Sequence, residues 1–387
     1  MNKVAVLTIS SHNYMPYGLT CLTTAKYYNQ EYDVYYVIAD CYNGDLYKKY
    51  EKDIVFVSLQ DLNYSDEEIV NLTFKYNIIE FNTCIKPQAI LYLLNKGYQT
   101  VIYLDPDIEC YNSFEQLLLD TKNQSIIVTP HKMTEKENPL IEDKQFLNNG
   151  IYNLGFLAIN NKVESRKFLD WWDKKLRKEC YIHYEEGLAT DQIWVVLAST
   201  IFEGFCVYKN EGVNVAYWNI HERKIEKMNN NYFVNNLPLV FFHFSSLSLT
   251  CNQSFLKSID DIQPGFKNFY NEHVKKVKCF DFDLFCNIPY SFSTYSDGSI
   301  IPKGHRWLYG YSLYLQERFK NPFLCDLREP FKKSIKSRKL IKYMHPKDSK
   351  ENILLFFIRI FGLDRTVRIM GFITIVKHVS RMFDKKT

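Results

Sequence analysis

Two carboxylates one residue apart, Asp105 and Asp107, close the apolar run Val101–Leu104 in the string Val-Ile-Tyr-Leu-Asp-Pro-Asp. Gly97 precedes the run and Pro106 interrupts the acidic pair, so Val101–Leu104 reads as a short buried parallel strand. Open α/β sheets bind ligands beyond the carboxyl ends of their strands. Two hard oxygen donors at such a place suit Mg²⁺ or Mn²⁺ shared with substrate phosphates. The competing reading is an ordinary strand-ending turn, for which Asp and Pro are both well suited.

Four further groups fall in an informative order. Lys86-Pro87 precedes the acidic motif, and Asn153-Leu154-Gly155 leads into the apolar stretch up to Ile159. Asp191-Gln192 opens a helix-like segment, and His243 follows the apolar run Leu239–Phe242. His243 is either a neutral imidazole ligand or a buried histidine bonded to backbone. Asp191 could equally serve as a helix N-cap, and Lys86 could be a solvated helical lysine.

Elements able to position these groups alternate along the first 160 residues. Strands are expected at Val4–Ile9, Val34–Ala39, Ile54–Val57, Val101–Leu104 and Ser125–Val128. Helices are expected at Tyr17–Tyr28, Asp66–Tyr76, from Asn77 through Leu94, and near Phe114–Leu119. Further on, Gly155–Ile159, Phe205–Tyr208 and Leu239–Phe242 read as strands, and Val163–Lys178 and Asp191–Ser199 as helices. Such alternation implies an α/β fold with a mostly parallel sheet and helices on both faces. No Gly-x-Gly-x-x-Gly follows the first strand and no P-loop string occurs, which disfavours both of those nucleotide sites.

Taken together, the strand-ending Asp-x-Asp, the Asn-x-Gly before a strand, the Asp-Gln pair and the strand-terminal His resemble the GT-A-fold glycosyltransferases. The similarity is greatest to glycosyltransferase family 8 and its bacterial surface-polysaccharide relatives. The strings GVNVAYWN (Gly212–Asn219), PLVFFHFSS (Pro238–Ser246) and YSDGSIIP (Tyr295–Pro302) add to it. The resemblance implies a Rossmann-like, nucleotide-diphospho-sugar transferase domain over residues 1–305: a mixed sheet flanked by helices, with a nucleotide-sugar half (1–160) and an acceptor half (161–305). A basic helical C-terminal extension would occupy 306–387.

By the same resemblance Asp105, Asp107 and His243 would hold Mn²⁺ or Mg²⁺, with Asp105 also near the ribose, and Lys86 would face the diphosphate. Asn13 and Tyr14 would meet the base, and Asp40 would lie near the nucleoside. Asn153 and Gly155 would line the sugar pocket, Asp191 would bond sugar hydroxyls, and Gln192 would lie by the anomeric carbon. The donor would be a nucleotide sugar, a UDP-sugar first, and the acceptor a saccharide or lipid-linked saccharide of a surface polysaccharide. The pattern departs from family 8 after His243, where Phe-Ser-Ser replaces its Gly and Lys-Pro-Trp element. No general base is assignable beyond Glu185 or Glu186, so retention and inversion both stay open. The alternatives are a sugar-phosphate nucleotidyltransferase, or a non-catalytic glycan- or nucleotide-binding protein of the same fold.

Composition bounds the remainder. The chain has 387 residues, 46% of them hydrophobic and 24% charged, which suffices for a sizeable core. Aromatics reach 16%, with 29 Tyr and 28 Phe, as suits grooves or interfaces and equally a low-GC genome. Ten scattered cysteines form no Cys-x-x-Cys pair, and the N-terminal apolar run is too short for a signal peptide, so a cytoplasmic protein is expected. Residues 331–387 carry 15 Lys/Arg against 4 Asp/Glu, so the body is acidic although the net charge is +4. A basic, partly apolar tail suits an anionic membrane at the inner face of the plasma membrane, or a helical pair packed on the body. The acidic body speaks against a nucleic-acid partner.

Overall fold

The computed structural model describes residues 3–324. These form two compact units: one of residues 3–63, Asn82–Ile182 and Leu188–Tyr290, the other of Tyr64–Phe81, His183–Gly187 and residues 291–324. The basic region 331–387, with its proposed membrane surface, lies outside the described residues.

The first unit is built on a seven-stranded mixed sheet. Its strands in chain order are β1 (Val4–Ser10), β2 (Asp33–Ile38), β3 (Val55–Val57), β4 (Thr100–Leu104), β6 (Ile126–Pro130), β7 (Tyr152–Asn160) and Phe205–Val207. In space the order is Phe205–Val207, β6, β7, β4, β1, β2, β3. β7 runs antiparallel to both β4 and β6, while the other pairings are parallel. This is the mixed sheet flanked by helices that the sequence suggested, with one reversed strand in the middle. Helices such as Met15–Tyr28, Lys86–Asn95 and Val163–Glu179 supply the flanking layers.

β1, β4 and β7 are buried along their whole length. Near-continuous runs of Val, Ile, Leu and Phe therefore replace the period-two alternation of a one-sided sheet. The core between sheet and helices includes Val6, Leu19, Leu22, Tyr36, Ile102, Leu104, Phe156 and Phe241. Much of the aromatic content goes into packing: Phe242, Phe244, Phe266 and Phe269 form a second buried cluster.

Two segments differ from the sequence expectation. The helix expected from Asn77 through Leu94 is two helices, Ile78–Cys84 and Lys86–Asn95. Pro87 explains the break, because it lies in the first turn of the second helix, where its missing N–H costs nothing. The strand expected at Leu239–Phe242 is Phe241–His243, so His243 is its last residue. It pairs antiparallel with β5 (Ile108–Cys110) outside the large sheet, setting His243 opposite Ile108.

Candidate active site

The parallel strands β1, β2, β4 and β6 end at one edge of the sheet, and antiparallel β7 begins there. Asp105 leaves β4 at that edge and its N–H donates to Gly155 O at 2.7 Å. β5 then places Asp107 beside the short strand that carries His243, and Phe244 N donates to Asp107 O at 2.7 Å. His243 Nε2 lies 3.0 Å from Asp107 Oδ1 and 3.8 Å from Asp105 Oδ2. One donor atom from each of the three residues lies within 4.8 Å of the others, a cluster that can hold a metal ion. The set of two carboxylate oxygens and one imidazole nitrogen fits a divalent ion of the Mn²⁺ or Mg²⁺ kind.

Electrostatics reinforce the cluster. Burial opposes ionisation of Asp107, but the His243 ring outweighs it and holds the carboxyl below its usual range. Burial likewise disfavours charge on His243, and Asp107 overcomes it to raise the imidazole's pKa. Desolvation and then Asp107 push the Tyr14 phenol well up. Tyr14 stacks on Tyr17 with centroids 4.4 Å apart. Tyr14 is thus only partly exposed and lies close enough to Asp107 to feel its charge.

Lys86 is buried; its ammonium donates to Leu154 O at 3.0 Å and forms ion pairs with Asp191 Oδ2 at 2.9 Å and Asp105 Oδ1 at 3.4 Å. It also sits 4.4 Å from the centre of the Tyr103 ring, whose hydroxyl donates to Asp105 Oδ1 at 2.5 Å. Burial works against the Lys86 charge, but Asp105 and Asp191 prevail and raise its pKa. For Asp191, burial dominates over Lys86 and raises the carboxyl. Asp191 precedes the helix Gln192–Ile201 yet makes no capping bond, because its carboxylate is turned to Lys86.

Gln192 is held at both ends of its amide: Leu154 N donates to Oε1 at 3.0 Å, and Nε2 donates to Asn149 O at 2.7 Å. Asn153 Oδ1 accepts from Gly155 N at 3.1 Å and from Asn214 Nδ2 at 3.0 Å, while its Nδ2 meets His131 Nε2 at 3.3 Å. A bulge between Val128 and Thr129 brings Thr129 opposite Asn153. Gly155 packs against the His243 ring so closely that a β-carbon there would collide with it.

The sequence candidates therefore gather into one connected group of Lys86, Asp105, Asp107, Asn153, Gly155, Asp191, Gln192 and His243, with Tyr14 at its margin. Asp40 joins a second cluster: His12 Nδ1 lies 3.2 Å from Asp40 Oδ2, and His12 Nε2 lies 2.5 Å from Tyr47 Oη. Asn13 accepts from Ser11 Oγ at 2.6 Å. Glu185 and Glu186 belong to the second unit, each 3.6 Å from His183.

Tyr103 and His131 escaped the sequence reading. Tyr103 stands two residues before Asp105, hence on the same strand face, and His131 follows the strand Ile126–Pro130. The placement rule that singled out Asp105 applies equally to His131. In the string Gly212–Asn219, Trp218 meets His243 in a T-shaped contact at 5.0 Å, and buried Asn219 bonds backbone of Ala216, His131 and Asn214.

No protein-family model matches the chain. It is 22% identical over 206 residues to the uncharacterized protein YfnD of Bacillus subtilis, a match covering 52% of this chain and 64% of that protein. Among solved structures it is similar to an active-site mutant of LgtC (TM-score 0.43, 14% identity, 67% of this chain and 94% of that one). It is also similar to the galactosyltransferase LgtC in complex with donor and acceptor sugar analogs (TM-score 0.37, 13% identity, 67% and 94%). A third similar structure is the glycosyltransferase GlyE of Streptococcus pneumoniae TIGR4 (TM-score 0.42, 14% identity, 72% and 64%).

Proposed function

We propose that this chain is a metal-dependent glycosyltransferase that moves a sugar from a nucleotide donor, a UDP-sugar first, to a saccharide acceptor in bacterial surface-polysaccharide synthesis. The observation that carries the reading is the convergence of Asp105, Asp107 and His243 within 4.8 Å at the carboxyl edge of a mixed α/β sheet. The buried Lys86–Asp191 pair adjoins it at 2.9 Å. A buried cation, the buried carboxylate of Asp191 and the partly buried carboxylates of Asp105 and Asp107 at a sheet edge suit phosphate and sugar hydroxyls better than an apolar ligand.

In this reading Asp105, Asp107 and His243 hold Mn²⁺ or Mg²⁺. The ion would neutralise charge on the departing nucleoside diphosphate. Lys86 fixes the Asp105 and Asp191 carboxylates in one orientation, and Tyr103 fixes Asp105 from the other side. Asp191 bonds sugar hydroxyls. Gln192, with its amide committed to Leu154 and Asn149, shapes the wall near the anomeric carbon. Asn153 and Gly155 line the sugar side, and Asn13, Tyr14 and Asp40 the nucleoside side. The basic residues 331–387 would bring the enzyme to an anionic inner membrane face, where a lipid-linked saccharide acceptor is found. Among the described residues no helix is long and apolar enough to cross a membrane.

Calorimetric titration with Mn²⁺ tests the site. The wild-type chain should bind one ion, and Asp107→Asn should weaken binding at least about a hundredfold with its far-UV spectrum unchanged. Equal Mn²⁺ affinity in the two proteins would refute the metal site.

A further inference from the structure

Thr190, the residue before Asp191, has a φ of 50°, in the left-handed region. The other non-glycine residues with positive φ among the described residues are Asn, Ser or Asp; Thr190 is the one that branches at Cβ. Left-handed backbone crowds a β-branched side chain and persists only where its surroundings impose it.

The surroundings here do so. Thr190 N donates to Tyr181 O at 3.0 Å, and the Trp172 indole donates to Asp191 O at 3.1 Å. Beyond them, Lys86 holds the Asp191 carboxylate at 2.9 Å. The Thr190 hydroxyl lies 2.8 Å from Ala189 O and 3.0 Å from Asp191 Oδ1, so its proton is shared between carbonyl and carboxylate. The turn thus aims Asp191 back at Lys86 and away from the helix N–H groups it would otherwise cap.

We propose that Thr190 is a positioning residue: its left-handed turn and its hydroxyl together aim the Asp191 carboxylate into the candidate sugar site. Resting on the glycosyltransferase reading, this inference adds a residue that the Asp-Gln motif does not contain. Strain at this position is the cost of the aim. Stability and turnover should therefore respond to substitution in opposite directions.

The test uses the full chain with Mn²⁺ and a nucleotide-sugar panel, and compares Thr190→Ser, Thr190→Val and Thr190→Gly in turnover and melting temperature. Ser keeps the hydroxyl without the β-branch, so its kcat should stay within about twofold of wild type and its melting temperature should not fall. Gly removes strain and hydroxyl together. It should melt at or above wild type while kcat falls about tenfold, the loss expected for one hydrogen bond to a charged group. Val keeps the branch and loses the bond, so kcat should fall by a similar factor with KM little changed. Wild-type turnover in both Gly and Val, or turnover that falls only in step with melting temperature, would overturn the proposal. Should wild type turn over no nucleotide sugar, the glycosyltransferase reading fails, and a crystal structure of Thr190→Gly decides the inference alone. An Asp191 carboxylate displaced from Lys86 supports it, and one still within hydrogen-bond reach overturns it.

Discussion

His243 is held from three sides at once: Asp107 in front, the Trp218 edge at 5.0 Å, and the bare α-carbon of Gly155 behind. That arrangement leaves the ring no room to retreat. Gly155→Ala should therefore push His243 off the carboxylates and weaken Mn²⁺ binding about tenfold or more, with little change in fold, as calorimetry and circular dichroism would show. Unchanged affinity would mean that the ring is not a ligand. At this scale the sequence told much. The family resemblance, carried by motifs at strand ends, grouped Asp105, Asp107 and His243 although 136 positions separate the last two. It could not give Lys86 its partners, since a carbonyl and two carboxylates from three distant segments meet only when the sheet is assembled. The resemblance assigned Gly155 to the sugar pocket, whereas the contact that demands a glycine is with the His243 ring.

At the scale of elements, the site depends on two short strands outside the main sheet, β5 and Phe241–His243. Glu109 on β5 is fully buried and binds His273 Nδ1 at 2.8 Å and the Lys276 ammonium, both on the helix Phe266–Lys278. Burial opposes its charge, yet His273 and Lys276 hold its carboxyl below the usual range. The His273 ring in turn stacks on Phe244, the residue after His243, at 3.7 Å and 4°. Removing the Glu109 charge deprives buried His273 and half-exposed Lys276 of their shared charged acceptor, at a cost of about 2 to 3 kcal/mol. Glu109→Gln should accordingly lower the melting temperature by about 5 to 10 °C in calorimetry. A shift within a degree would show that the ion pair anchors nothing. Periodicity located the long buried strands well because continuous apolar runs leave little choice. It could not show that β7 runs antiparallel between β4 and β6, or that a three-residue strand ending in His243 pairs with β5. Those facts are set by long-range pairing, not by local pattern.

For the whole molecule, pH is an informative variable. Burial lowers the His131 imidazole from its usual value to about 4. The folded chain therefore binds fewer protons than the unfolded chain between about pH 6.5 and 4. His131 thus costs nothing above that window and drains stability as pH falls through it, by about 2 kcal/mol at pH 5 relative to pH 7. Denaturant titrations should show that slope in wild type and a flatter one in His131→Gln; parallel slopes would contradict the assignment. Separately, deletion of residues 331–387 should abolish sedimentation with phosphatidylserine vesicles at low salt, since each basic residue near such a surface contributes about 1 kcal/mol. Undiminished sedimentation would refute the membrane role of that region. The central claim remains the metal-assisted transfer of sugar from a nucleotide. Its most direct measurement is release of nucleoside diphosphate from a panel of nucleotide sugars with Mn²⁺, in wild type and in Asp107→Asn. Wild type should release it from at least one donor, with release abolished by excess chelator and reduced at least about a hundredfold in the variant. Release unaffected by either change, or none from any donor, would contradict the claim.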